Sequence, residues 1–215
     1  TYWYIICLFF ENGGTNRMFY MFDEKFRAVL DTSNAFIKKA RELYPGEIAL
    51  SGSEILNIME QGFRIKLDIV STSFEENDIN NTYGAMLGVE LNEDDSIKSA
   101  TIILNNECPT EFQRFSLMHE IGHILMHAWR NEDKYKDSYV VCTHINYKLQ
   151  DIKKEVYEKD EYLRNEQIAN IFALRTLMPF DIIIEKFSDG YSIDKLAKDF
   201  VINKEAVISR LALGY

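Results

Sequence analysis

Between residues 22 and 44 apolar positions recur every three to four residues, with Phe26, Val29, Leu30, Phe36, Ile37, Ala40 and Leu43 spaced for one face. That spacing predicts an amphipathic helix, stopped by Pro45 and Gly46. A shorter helix follows: Ser51 and Glu54 have capping-box spacing, and Ile55, Leu56 and Met59 supply the apolar side. The period then falls to two. Phe63, Ile65, Leu67 and Ile69 alternate with Arg64, Lys66 and Asp68, which predicts a half-buried strand. Residues 83–91 and 99–104 read as two further strands, the loop between them carrying residues 92–95. A sheet of about three strands results, a normal size.

Residues 105–109 break the sheet, and Thr110 with Gln113 repeats the capping-box spacing at the start of a long helix that runs to about His127 or Trp129. Residues 131–160 are highly charged and mixed in pattern, which predicts a mobile connection with some helix near its end. A second long helix covers 161–178 and ends at Pro179. Short helices follow over 181–187 and 193–200, and a last one begins after Asn203 as N-cap and closes at Gly214. There is no internal repeat. The expected fold is α+β: a small three-stranded sheet packed on a pair of long helices, with a C-terminal helical subdomain. The expected divisions are a leader and helix over 1–50, the main domain over 51–180 and the subdomain over 181–215.

Composition narrows the function. A chain of 215 residues with 47% hydrophobic residues has enough material for one compact domain and a small satellite, and too much for general disorder. The net charge of −10 argues against a broad nucleic-acid footprint, which needs a basic face, and suits a protein partner or peptide substrate. Cys7, Cys108 and Cys142 lie far apart with no CxxC pair, which points to reduced thiols and a cytoplasmic setting. The apolar run over residues 1–10 is too short to span a bilayer and lacks the flanks of a signal peptide, so no membrane attachment is expected. It reads either as an edge strand or as sequence upstream of a start at Met18 or Met21, with residues 11–14 translating a ribosome-binding site.

The chemistry concentrates on the first long helix. His119 and His123 are four residues apart, so both imidazoles project from one face and can reach a single zinc ion at about 2.0–2.1 Å. Glu120 lies one step round the helix, where it can take a proton from water held at the metal and pass it to a leaving amine. Phe112, Phe115, Leu117, Ile121, Ile124 and Leu125 make this helix apolar on most sides, so it is central. Burying two histidines and a glutamate there is costly unless a metal satisfies them. Gly122, costly inside a helix, signals close approach of another backbone.

A third ligand is needed. Six residues after His123, where one zinc-peptidase class has a histidine, stands Trp129. His127 lies a further turn along the axis, and His144 in the charged connection is a weaker candidate. A carboxylate on the second long helix is the better choice. There Glu166, Ala169, Asn170, Ala173 and Leu177 share a face whose small residues allow close packing, which brings Glu166 to the metal. Glu158 and Glu161 are its rivals, and Asn170 is placed to hydrogen-bond a ligating histidine.

These blocks resemble a known family. Residues 100–105 (ATIILN), 115–127 (FSLMHEIGHILMH) and 166–173 (EQIANIFA), followed by Leu177, Met178 and Pro179, are similar to the ImmA/IrrE metallopeptidases. The tail over 196–201 and 206–211 resembles that family's C-terminal part, so the likeness covers roughly 51–215. The resemblance implies a gluzincin-like fold with zinc on His119, His123 and Glu166 and with Glu120 as the catalytic carboxylate. It further implies a protein substrate, a helix-turn-helix transcriptional repressor of a mobile element or stress response. Thr176 stands where the family often has a leucine, and the first fifty residues show no DNA-binding domain.

Two other functions compete. A zinc site kept for structure or sensing would not need Glu120. A DNA-binding regulator could use the helix–turn–helix-like pattern over 193–211, but Lys186, Lys195, Lys198, Lys204 and Arg210 are offset by six acids between Asp181 and Glu205. For the group that stabilises the oxyanion, Tyr147, Tyr157 and His144 are candidates, and the 131–160 connection is a candidate lid or partner contact.

Overall fold

A computed structural model describes residues 24–73, 84–94, 96–126 and 156–213. The elements in chain order are α1 (Glu24–Leu43), α2 (Gly52–Ile58), a π-helical turn (Met59–Phe63), β1 (Lys66–Thr72), β2 (Gly84–Leu91) and β3 (Ile97–Asn105). Then come α3 (Thr110–Met126), α4 (Val156–Leu177), α5 (Phe180–Ser188), α6 (Ile193–Phe200) and α7 (Lys204–Leu213). The α+β class is as the periodicities predict. The run over residues 1–10, Cys7, Met18 and Met21 lie outside the described residues, as do Cys142 and most of the charged connection.

The sheet has the order β1-β3-β2. β3 is central, parallel to β1 and antiparallel to β2, with Leu67 opposite Ala100 and Val89 also opposite Ala100. Ile97, Ala100, Ile102 and Leu104 of β3 are buried, so one strand face is committed to the core. Against it lies α3, on which every residue from Phe115 to Leu125 is buried. α4 packs on α3, and α1 packs on α4, which leaves α3 sandwiched between sheet and helix. A central helix of this kind has no polar face to give, hence its almost uniformly apolar sequence.

Two local expectations are corrected. The alternation beginning at Phe63 suggested a strand there, but the backbone stays helical through Phe63 and Arg64 caps the turn in the left-handed region, at φ 59°. Ile65 is buried before the ladder starts, so its side chain keeps the inward phase while β1 begins only at Lys66. At the second break, Thr110 is already inside α3 rather than its cap, and the Gln113 side-chain amide donates to the Cys108 carbonyl (2.6 Å). The Ser51 box does form: the Glu54 N–H donates to Ser51 Oγ and the Ser51 N–H to Glu54 Oε2 (2.6 Å).

Buried polar ties register the helices. Arg175 on α4 donates to Ser33 Oγ (2.7 Å) and Asn34 Oδ1 (2.9 Å) on α1. Arg210 on α7, fully buried, donates to the Met178 carbonyl (2.9 Å) at the end of α4 and stacks over the Phe180 ring. The apolar core runs continuously from Phe26 through Ile183, Leu196 and Val207, so α5, α6 and α7 share it. Among the described residues no single helix is long and apolar enough to cross a membrane; Asn165–Leu177 with Phe180–Ser188 passes only as a pair, bent by 59°.

Candidate metal centre

The sequence places His119 and His123 one turn apart on α3, and their Nε2 atoms face each other at 2.9 Å. Glu166 arrives from α4. Its Oε2 lies 3.3 Å from His119 Nε2 and its Oε1 lies 3.1 Å from His123 Nε2. The three ligand atoms fall within 4.8 Å of one another, a group that could hold a metal ion. Ligands at 2.0–2.1 Å from a tetrahedral ion stand about 3.3–3.4 Å apart; the Glu166 distances come close to that edge, and the two Nε2 atoms, at 2.9 Å, must part by a few tenths of an ångström to share an ion. Among the described residues the group offers two ring nitrogens and a carboxylate, a donor set suited to a divalent ion. By chemistry and by spacing the residues fit a divalent ion.

The two helices can bring their side chains this close because they nearly touch. A Cβ built on Gly122 would lie 3.1 Å from Ala169 Cα and 3.2 Å from the Ala169 carbonyl oxygen. The backbone that Gly122 was expected to meet is therefore that of α4, between Glu166 and Asn170. Asn170 Oδ1 stands 2.8 Å from His119 Nδ1, the ring nitrogen turned away from the cluster. On the sheet side a Cβ on Gly84 would meet the Ser116 Cβ at 3.0 Å, which seats β2 directly on α3.

Electrostatics follow from burial. His119, Glu120 and His123 are all buried, while the Glu166 side chain keeps 16% of its surface exposed. Burial pushes the Glu120 carboxyl up to about 8; His119 opposes this and Glu166 adds to it. Burial would also raise Glu166, but its bonds to His119 and His123 hold it well below the usual carboxylate range. For His119, burial favours the neutral ring and the Glu166 carboxylate overcomes it, so its pKa rises. For His123, burial together with the His119 charge prevails over Glu166, and its pKa falls.

The structure brings His119, Glu120, His123, Glu166 and Asn170 together. The α4 backbone extends to Val156, but the side chains of the rivals Glu158 and Glu161, and that of Tyr157, lie outside the described residues, with His127, Trp129, His144 and Tyr147. Phe115 was not foreseen as a neighbour of the site. Its ring centroid lies 6.4 Å from that of His119, and the four-residue spacing on one helix was the available signal. Cys108 is a partly buried free thiol whose pKa is raised by burial and then by Glu107, which makes it a poor nucleophile.

Fold and cluster together place the chain among metallopeptidase-like domains. Residues 74–212 match the peptidase family described as the IrrE N-terminal-like domain, and the chain belongs to that family. Among solved structures it is similar to a Mycobacterium tuberculosis transcriptional regulator, at 14% identity and a TM-score of 0.45. The match covers 88% of this chain and 51% of that one, so the chain spans about half the length of the regulator. No curated protein sequence matches it significantly.

Proposed function

We propose that this protein is a zinc-dependent endopeptidase that cuts a specific bond in a protein substrate, with His119, His123 and Glu166 as metal ligands and Glu120 as the general base. The observation that carries this reading is the convergence of both Nε2 atoms and the Glu166 carboxylate, at 2.9–3.3 Å, beside a buried acid. A divalent ion held there supplies Lewis acidity, which polarises a scissile carbonyl and eases the ionisation of water. Glu120 accepts a proton from the attacking water and delivers it to the departing amide nitrogen. A carboxyl whose burial raises its proton affinity is suited to hold that proton between the two transfers, and a cation nearby draws its pKa back toward neutrality. Phe115, its ring centroid 6.4 Å from that of His119, screens this side of the buried cluster from competing water.

The proposed substrate is a helix-turn-helix repressor, on the strength of the resemblance and of the chain's acidity. Direct DNA reading by α6 and α7 is disfavoured by where the nearby cations go. Arg210 is buried against Met178, Lys204 pairs with Asp194 of α6, and Lys186 of the neighbouring α5 pairs with Asp199 of α6. The test is to co-express the chain with any helix-turn-helix repressor encoded beside its gene and compare wild type with Glu120→Gln by intact mass. A discrete cut that vanishes in the variant, with zinc still bound, is the expected result. Equal cutting by both proteins would refute the role of Glu120, and zinc binding without any cut would favour a non-proteolytic regulator.

A further inference from the structure

We infer that one face of α1 is a docking groove for an acidic segment of a protein partner, with Lys38 and Arg41 as its cations beside half-buried Ile37. The inference stands apart from the metal centre. Asn34, Ile37, Lys38, Arg41 and Glu42 line an open groove of about 500 Å³. Their spacing of three and four residues puts them on one stripe of the helix, while Ser33 and Phe36 of the same helix are fully buried. α1 precedes residues 74–212, which match the family, so the groove lies outside the shared domain. Asn34 also accepts from Arg175 of α4, so an occupant would sit on a polar tie that holds that helix.

Charge selects the occupant. The chain carries a net charge of −10, yet the end of α1 holds Lys38, Lys39 and Arg41 against Glu42 alone. Lys39 is engaged, its Nζ 3.5 Å from Glu42 Oε2. Lys38 is exposed and forms no ion pair among the described residues. Arg41 donates through Nη2 to both oxygens of Asp181 on α5, at 2.6 and 2.7 Å, and half of its side-chain surface is exposed. A guanidinium has five N–H donors in a planar fork, so a second carboxylate can take the Nε and Nη1 side. Carboxylates on Lys38 and Arg41 with an apolar side chain on Ile37 therefore complete the stripe. An isolated surface ion pair contributes little, but two such pairs around an apolar contact make a site. The acidity of the rest of the chain repels an acidic partner everywhere else and so fixes where it docks. Two cations on so acidic a chain are too small a footprint for nucleic acid, which needs a broad basic face.

The experiment uses the full chain and a short fluorescein-labelled peptide of glutamate and leucine, with a lysine and leucine peptide as control. Fluorescence anisotropy reads affinity, and amide 1H–15N spectra locate the contact. The variants are Lys38→Glu and Lys198→Glu; Lys198 is exposed on α6, so its reversal changes net charge equally but away from the groove. Both positions are exposed, so neither substitution threatens the fold. The acidic peptide should bind wild type, shift the amides around Ile37 and Lys38, and lose affinity as salt rises. Affinity should fall at least about tenfold in Lys38→Glu, where attraction becomes repulsion, and stay within about twofold in Lys198→Glu. The lysine peptide should not bind this face. Absence of binding to wild type, equal weakening by both reversals, or shifts confined to residues outside α1 overturns the proposal. So does tighter binding at Lys38 of an oligonucleotide or of phosphatidylserine vesicles, which would assign the face to phosphate groups and not to a peptide.

Discussion

Replacing Gly122 by alanine tests whether the helix crossing, and not helix propensity, governs this region. In an unconstrained helix interior, Gly→Ala stabilises by about 1 kcal/mol. Here the added methyl would sit 3.1 Å from Ala169 Cα, 3.2 Å from the Ala169 oxygen and 3.2 Å from Phe172 Cδ1. Carbon atoms prefer about 3.5–4.0 Å, so α3 and α4 must separate by roughly half an ångström. Two of the three obstacles are backbone atoms, which cannot rotate aside. Overpacking of this kind costs about 1–3 kcal/mol, enough to exceed the propensity gain and leave a net loss of about 1 kcal/mol. The effect on metal is larger in proportion. Glu166 rides on α4 less than one turn from Ala169, and ligand distances tolerate only about 0.2 Å. Zinc affinity should drop at least tenfold. Urea unfolding of the metal-free protein and chelator competition measure the two effects. Gly52→Ala is the control, because nothing lies within 4 Å of that position; it should be neutral or stabilising. A Gly122→Ala protein that is more stable than wild type and binds zinc equally well would refute the close-crossing argument.

Other outcomes follow from the same packing. Arg210→Met removes the guanidinium that donates to the Met178 carbonyl and should cost about 2–3 kcal/mol in urea unfolding. Asn203→Ala removes the side-chain oxygen that accepts from the Ala206 N–H at 2.8 Å, a loss of about 1 kcal/mol by thermal unfolding. Val201 caps α6 in the left-handed region at φ 51°, a conformation that costs a branched residue about 1–2 kcal/mol; Val201→Gly should raise the melting temperature despite the loss of its half-exposed side chain. Stripping metal with a chelator should lower the melting temperature of wild type and leave His119→Ala unmoved, as read by calorimetry.

The helices and the central site were legible in the sequence because their signals are local. His119 and His123 announce themselves by spacing, and the unbroken burial from Phe115 to Leu125 is written as an almost uniformly apolar run. Glu166 and Asn170 could be placed because their face of α4 also carries Ala169 and Ala173, residues small enough to admit another helix. What escaped depends on partners remote in sequence. Strand alternation predicts β1 but not that it lies parallel to β3 at the far side from β2, since periodicity carries no pairing information. The π-helical turn escaped for a related reason: the phase of Ile65 and Leu67 is the same whether or not the backbone before them is extended. Arg210 read as a surface cation because nothing in its neighbourhood of sequence reveals Met178 or Phe180.

Fold and site make a single demand at the crossing of α3 and α4. Gly122 and Ala169 are small so that the helices can touch, and that contact is also what carries Glu166 to His119 and His123. Stability and metal binding should therefore be coupled through the crossing and uncoupled elsewhere. Gly122→Ala lowers both. Asn203→Ala acts beyond α4, and Arg210→Met acts at the opposite end of α4 from Glu166; both lower stability, so the zinc affinity of their folded fraction should match that of wild type. Plotting zinc affinity against unfolding free energy for these variants separates the cases: crossing substitutions fall on a slope, and C-terminal ones spread along a horizontal line. If Arg210→Met instead loses affinity in step with stability, then the anchor at Met178 reaches back along α4 to Glu166, and the C-terminal helices form part of what holds the metal centre in shape.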